Sequence, residues 1–182
     1  GKQEKIKNIV KSSVKIISAP SNLSTVSHSL EKSDIWKLRA IYDSGDISNE
    51  AVLPTLTVES TPDTLLPGET ITGINSGATG IVIEGAGGTT SVTYVVTSGT
   101  FVSENVTGAT TGFTKVVTNV TAGDTLITDR YDIDNGQRDN FYDHGSIQLK
   151  TGATAPTGQV SVVFDFFTHT GVGYFSVDSY LS

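Results

Sequence analysis

The residues of this 182-residue chain most able to do chemistry gather in Asp129-Arg130-Tyr131-Asp132-Ile133-Asp134-Asn135-Gly136-Gln137-Arg138-Asp139-Asn140-Phe141-Tyr142-Asp143-His144-Gly145, with five aspartates in fifteen residues. Calcium loops use such alternating carboxylates to supply the about six to eight oxygens the ion takes. Asp132, Asp134, Asp139 and Asp143 are the candidate Ca²⁺ ligands. The spacing departs from an EF-hand: counted from Asp132, the glycine arrives one place early at Gly136, and Asp143 stands where a glutamate is expected. The favoured reading is a structural corner with no resident metal or cofactor. Asn135-Gly136 makes the turn, Arg138 and Arg130 pair with the carboxylates, and Asp134, Gly136, Arg138 and Asp139 form the corner.

Other catalytic signatures are sparse. His28, His144 and His169 share no metal-ligand spacing, no Gly-x-Ser-x-Gly elbow occurs, and cysteine is absent. Asp143 beside His144 imitates half of a triad, but neighbours on a strand face opposite ways. A glycoside hydrolase would need paired carboxylates, with Asp143 and Asp165 as the residues to replace. Gly85-Ala86-Gly87-Gly88 lacks the Lys-Ser/Thr of a phosphate loop and reads as a hairpin tip. Phe164, Phe166, Phe167, Tyr174, Phe175 and Tyr180 form an aromatic cluster that reads first as core or subunit interface. Of these, Phe166, Phe167, Tyr174 and Tyr180 are the candidates for an interface or for a glycan platform. The expectation is a protein that is not an enzyme.

The elements that must position these groups are strands. Gly, Thr, Ser and Val are abundant, which favours β-branched strands punctuated by turns. A net charge of −7 argues against general nucleic-acid binding, which needs clustered cations. Lys2, Lys5, Lys7, Lys11 and Lys15 are the local exception and read as a solvated segment. No stretch has the about 18–20 apolar residues of a membrane span. With no methionine and no start or signal pattern, the chain reads as a piece of something longer.

Ile35 to Tyr42 alternates Trp36, Leu38, Ala40 and Tyr42 against Lys37, Arg39 and Ile41, the period of a half-buried strand. Ser29 to Asp34 before it reads as a polar turn or a single helical turn. Val52 to Glu59 is another strand, placed at an edge by Pro54. Ile6 to Ile17 mixes helical spacing at Ile6, Ile9 and Val10 with strand spacing at Val14, Ile16 and Ile17, which predicts a strand in its second half only. Gln159 to Phe166 alternates Val160, Val162, Phe164 and Phe166 against Ser161, Val163 and Asp165. With Val172 to Val177 it forms a predicted hairpin.

Between Leu65 and Val120 the composition shifts to Gly and Thr and contains an echo. Gly68-Glu69-Thr70-Ile71-Thr72-Gly73 and Ser103-Glu104-Asn105-Val106-Thr107-Gly108 match at a constant offset of 35 residues. Each copy runs into a small-residue turn and then a strand, at Ile81 to Ile83 and Phe113 to Val117. Ser91 to Thr97 and Thr100 to Val102 are the strands between. Short strands with glycine turns pack economically as a small barrel or sandwich, because closure removes exposed edges. The predicted fold is all-β: a discontinuous β-sandwich with an inserted small β-barrel-like module. Residues 1–60 and 121–182 form the main domain, and 61–120 the Gly/Thr-rich insert.

Three strings carry a resemblance: Ser29-Leu30-Glu31-Lys32-Ser33-Asp34 leading to Ala40-Ile41-Tyr42-Asp43-Ser44, Asp134-Asn135-Gly136-Gln137-Arg138-Asp139-Asn140-Phe141-Tyr142-Asp143, and Phe175-Ser176-Val177-Asp178-Ser179-Tyr180. They resemble a domain-of-unknown-function family in large virion structural proteins of tailed phages, of the marine cyanophage type. The Gly-Glu-Thr-Ile-Thr-Gly and Ser-Gly-Ala-Thr-Gly elements look like β modules that recur in those proteins. The resemblance implies an extracellular building block of the tail, baseplate or fibre, serving assembly and display. Its partners would be other virion subunits, in a homotrimer for instance. It transfers no catalytic residue. The competing reading is a host-receptor module binding a surface glycan, through exposed aromatics such as Tyr94 or Tyr174.

Overall fold

The computed structural model describes residues 6–18, 27–59, 65–85, 90–139, 141 and 143–170. Strands dominate, and among the described residues there is no α-helix. The chain divides into two units, one built from Gly1–Glu50 with Leu126–Ser182, the other from Ala51–Thr125. The all-β class and the inserted barrel are as the sequence predicts. The boundaries move: the insert begins near Ala51 rather than residue 61, because the strand at Thr55–Val58 is hydrogen-bonded on both sides within the barrel.

In the first unit, β1 (Ile6–Ile17), β2 (Ser27–Ser33) and β3 (Ile35–Asp43) come before the insert. After it come β10 (Thr125–Leu126), a 3-10 turn at Thr128–Arg130, β11 (Tyr131–Asp134), β12 (His144–Leu149) and β13 (Val160–Thr170). One sheet has the order β1-β13-β3-β10 and the other β11-β12-β2. They share one apolar core. Leu30, Tyr131 and Ile147 from the smaller sheet pack with Ile35, Ile41, Val160, Val162 and Phe164 from the larger.

β13 is central, its edges paired with β1 and β3, and residues on both its faces are buried: even Ser161, Val163 and Asp165 are shielded from water. The Val172 to Val177 partner expected for it lies outside the described residues. Asp165 has no measurable exposure, and the backbone on either side deforms around it. In β1 the register slips between Val10 and Ser13, and Ser12, at φ +55°, donates its N–H to Asp165 Oδ1 at 2.8 Å. In β3, Leu38 and Ala40 face consecutive residues of β13, so Arg39 is an extra residue, and its guanidinium grips Asp165 Oδ2 at 2.7 and 3.0 Å.

The alternation misleads at two places. β1 is a strand throughout; Ile9 and Val10 are successive residues on its opposite faces, each partly exposed, and apolar residues on both faces counterfeit a helical period. A second extra residue in β3 is Trp36, between Ile35 and Lys37, and this bulge turns the indole outward, 61% exposed, instead of onto the buried face. The Ser29–Asp34 turn is also overturned. Residues 27–33 form β2, whose buried His28, Leu30 and Ser33 face inward, with the positive φ of Glu31 and Asp34 supplying the irregularity.

The second unit is a closed barrel in the order β4-β7-β6-β5-β8-β9. Its strands are β4 (Thr55–Val58), β5 (Thr70–Gly73), β6 (Thr79–Glu84), β7 (Ser91–Ser98), β8 (Asn105–Gly108) and β9 (Thr114–Thr121). Pro54 precedes the first paired residue, so β4 is no edge strand: closure gives it β7 on one side and β9 on the other. Thr100 to Val102 is loop, because Phe101 turns inward to meet Tyr94 edge-on at 5.2 Å.

The offset of 35 is a twofold symmetry. β5 and β8 pair antiparallel about the central couple Thr72↔Thr107, with Ile71↔Gly108 and Gly73↔Val106 flanking it. The β5–β6 register Thr70↔Ile81 recurs as Asn105↔Val116, and Thr72↔Thr79 as Thr107↔Thr114. The irregularity at Ile83 recurs at Thr118. β4 and β7 meet across the same axis at Leu56↔Val92. The barrel is therefore two three-stranded copies.

A buried glutamate from each copy locks the other. Glu69 Oε2 accepts the N–H groups of Thr110 and Thr111 at 3.1 and 2.9 Å and the Thr111 hydroxyl at 2.8 Å, while Oε1 accepts Leu66 N–H. At the equivalent positions, Glu104 Oε1 accepts the N–H groups of Asn75 and Ser76 at 2.8 and 2.9 Å, and Oε2 that of Val102. The carboxylates sit against Gly108 and Gly73, where a Cβ would collide with them. Burial pushes the Glu104 carboxyl up, but the Ser76, Val102 and Asn75 donors outweigh it and take it down to about 2. Burial likewise opposes, and the Thr111, Leu66 and Thr110 donors reverse, the shift at Glu69, whose carboxyl lies below its ordinary value.

A depressed folded-state value means stability that is fully present above the ordinary glutamate value of 4.5 and is lost as pH falls from there towards 2. Glu104→Gln is expected to cost about 1–3 kcal/mol at neutral pH and to flatten the barrel's acid sensitivity in that window, as read by urea denaturation at a series of pH values. Asp165→Asn in the other unit leaves Arg39 without its buried partner. Its expected cost, measured the same way, is about 3–5 kcal/mol.

Candidate functional site

One concave surface of the first unit is a cleft of about 590 Å³ lined by Ile35, Trp36, Ile133, Asp134, Asn135, Gln137 and Gln148. Its parts come from three strands and one corner. Trp36 stands on the β3 bulge, and Phe167 of β13 supports it edge-on, with ring centroids 5.5 Å apart and planes at 61°. Lys7 Nζ lies 4.7 Å from the Phe167 ring centre on its other neighbour, a cation–π contact that holds that ring. Ile133 comes from β11, and Gln148 from β12.

The corner after β11 supplies the polar rim. Gly136, at φ +83°, has backbone against the place a Cβ would occupy, so only glycine fits. Asp134 Oδ1 accepts Gly136 N–H at 3.0 Å, Asn135 Oδ1 accepts Gln137 N–H at 2.9 Å, and Asp143 N–H closes the loop on Gly136 O at 2.6 Å. Arg138 holds both oxygens of Asp134 at 3.2 Å and lies 3.8 Å from Asp143. Those contacts, Arg138 first, keep the Asp134 carboxyl below its ordinary value. Arg130 points elsewhere, donating to Thr154 O at 3.3 Å.

Behind the rim is Asp34, 1% exposed and at φ +52°. Its Oδ1 accepts Gln137 Nε2, and its Oδ2 meets His169 Nε2 at 2.7 Å and Lys7 Nζ at 3.0 Å. Burial raises the Asp34 carboxyl, while Gln137, Lys7 and His169 together bring it below its usual value. Asp34 O also accepts Phe167 N–H, and Ile35 N–H donates to Asn135 O. One buried carboxylate thus ties the indole's support and the rim together.

The four aspartates considered for calcium do not converge. Asp132 is exposed, 3.9 Å from Lys150; Asp134 is taken by Arg138; Asp139 is exposed; and Asp143 Oδ1 accepts His144 N–H. Among the described residues no three acidic or imidazole side chains are grouped to hold a metal. Asp165, the other acid weighed for hydrolysis, is sealed inside its sheet. Phe166 is core, Phe167 is the partly buried prop, and Tyr94, 2% exposed inside the barrel, is unavailable as a surface platform. Tyr174 and Tyr180 lie outside the described residues, as does most of the Gly85–Gly88 run.

Trp36 and Gln148 are the functional candidates that sequence reasoning missed. Regular alternation put the indole on the buried face, and Gln148 has no local signal at all. Asp34→Ala is expected to loosen Gln137 and the Phe167 prop, moving the fluorescence of Trp36 to longer wavelength and lowering stability by about 3–5 kcal/mol, read by emission spectra and urea denaturation. No family model, curated protein or solved structure matches the chain.

Proposed function

We propose that this chain is a structural module of a tailed-phage virion protein, of the tail, baseplate or fibre, serving assembly and display. The observation that carries the reading is the use made of buried acids. Asp34, Asp43, Glu69, Glu104 and Asp165 are all buried, and all accept hydrogen bonds from the protein's own loops and side chains. Asp43, for example, binds the N–H groups of Gly45, Thr157 and Gly158 at 3.0, 2.9 and 3.0 Å. Carboxylates placed in this way stiffen a scaffold instead of acting on a substrate.

Further support comes from the three strings that resemble tailed-phage virion proteins, two of which form β2 with β3 and the Asp134–Asp143 corner. A barrel without edges also suits repeated presentation, since it offers no free ladder for unwanted pairing. The partners would be other virion subunits, and the location extracellular. Mass spectrometry of purified particles from a phage encoding the chain tests this. Its peptides are expected in the particle at a fixed copy number that tracks the other tail proteins. Recovery only from the infected-cell lysate, with none in washed particles, rejects the proposal.

A further inference from the structure

We infer that the Trp36 cleft is a binding site for an uncharged oligosaccharide. A pyranose ring has a face of C–H groups and an edge of hydroxyls, and a site that reads it needs a flat apolar platform bordered by groups that both donate and accept. Trp36 supplies the platform, the most exposed of the large apolar side chains described. Side-chain amides supply the border.

The hydrogen-bonding capacity of that border is largely unused by the protein. The Gln148 amide has no hydrogen bond among the described residues. Asn135 uses only its Oδ1 and Gln137 only its Nε2, which leaves a donor on the first and an acceptor on the second. The Asp134 charge is matched by Arg138, so the cleft offers no net charge to an ionic ligand. At about 590 Å³ it falls within the range of about 300–1,000 Å³ typical of small-ligand clefts.

Pre-organisation strengthens the case. Trp36 projects because the strand carries an extra residue there, the Phe167 edge limits its rotation, and Asp34 sets Gln137. A ligand therefore meets side chains already ordered, and their ordering entropy opposes binding less. An exposed indole on a flexible loop would lack this. The site stands whether or not the chain belongs to a virion; within one, repeated copies would add their weak contacts through effective concentration.

The chain has one tryptophan, so its fluorescence reports on this cleft alone. The 182-residue chain is to be screened on an array of neutral and acidic glycans, then titrated with cellohexaose, maltohexaose, mannohexaose and chitohexaose, with sialyllactose as the acidic control. The expected result is a saturable blue shift of the Trp36 emission with at least one neutral oligosaccharide and none with sialyllactose. By isothermal titration, Trp36→Ala should weaken that binding by about tenfold or more and Gln148→Ala by about three- to tenfold. Both variants should melt as the parent does. Binding confined to acidic glycans, binding unchanged in both variants, or no neutral glycan bound at millimolar concentration overturns the inference. None of these outcomes bears on whether the chain is found in particles, so the two readings fail separately.

Discussion

A carboxylate removed from water must be given donors, and this protein meets that demand mostly with its own backbone. The consequence reaches well past each acid. Asp165 sits in the middle of the central strand with no access to solvent, and the strands on both sides accommodate it by adding residues, Ser12 approaching from one flank and Arg39 from the other. The register of the four-stranded sheet is fixed by where those extra residues fall. A sheet held only by apolar contacts could slide by two residues and still bury its hydrophobic face; one wrapped around a buried anion cannot.

The barrel applies the same principle with symmetry. Glu69 and Glu104 each bridge to the turn of the opposite copy, so neither three-stranded half satisfies its own acid completely. Closure and charge satisfaction are then one event. The halves are not identical inside: Ala78 corresponds to Phe113, and Val58 to Tyr94, so bulk is distributed unevenly about the axis within a single core. The polar clamps are conserved between the copies in geometry while the apolar filling is not, which fits a core that tolerates volume exchange more readily than unsatisfied polar groups.

Much of this was legible beforehand, and the losses have a common cause. Strand content, the insertion and the repeat follow from composition and from the match of residues 68–73 with 103–108. The meaning of the glutamate in that match was not legible, because its donors lie 41 and 42 residues away for Glu69 and 28 and 29 for Glu104. Periodicity failed at Ile6–Val10, where Ile9 and Val10 stand partly exposed on opposite faces of β1, and at Trp36, where one added residue reverses the facing of what lies beyond it. Local chemistry did better: Asn135-Gly136 and Arg138 make their corner within a few residues of one another. The cleft needed three strands brought together and was invisible in any single one.

Where the chain enters and leaves the barrel, Val52 and Asp124 are bonded face to face: Val52 N–H donates to the Asp124 carboxylate at 2.6 Å, and Asp124 N–H to Val52 O at 2.7 Å. The two crossings are zipped shut at the threshold. A segment whose beginning and end are joined this way asks nothing of the host sheets except a short gap between β3 and β10. Such a cassette can be gained, dropped or exchanged in evolution without re-registering a single strand of its carrier, and a lineage can diversify what it carries while the carrier stays the same.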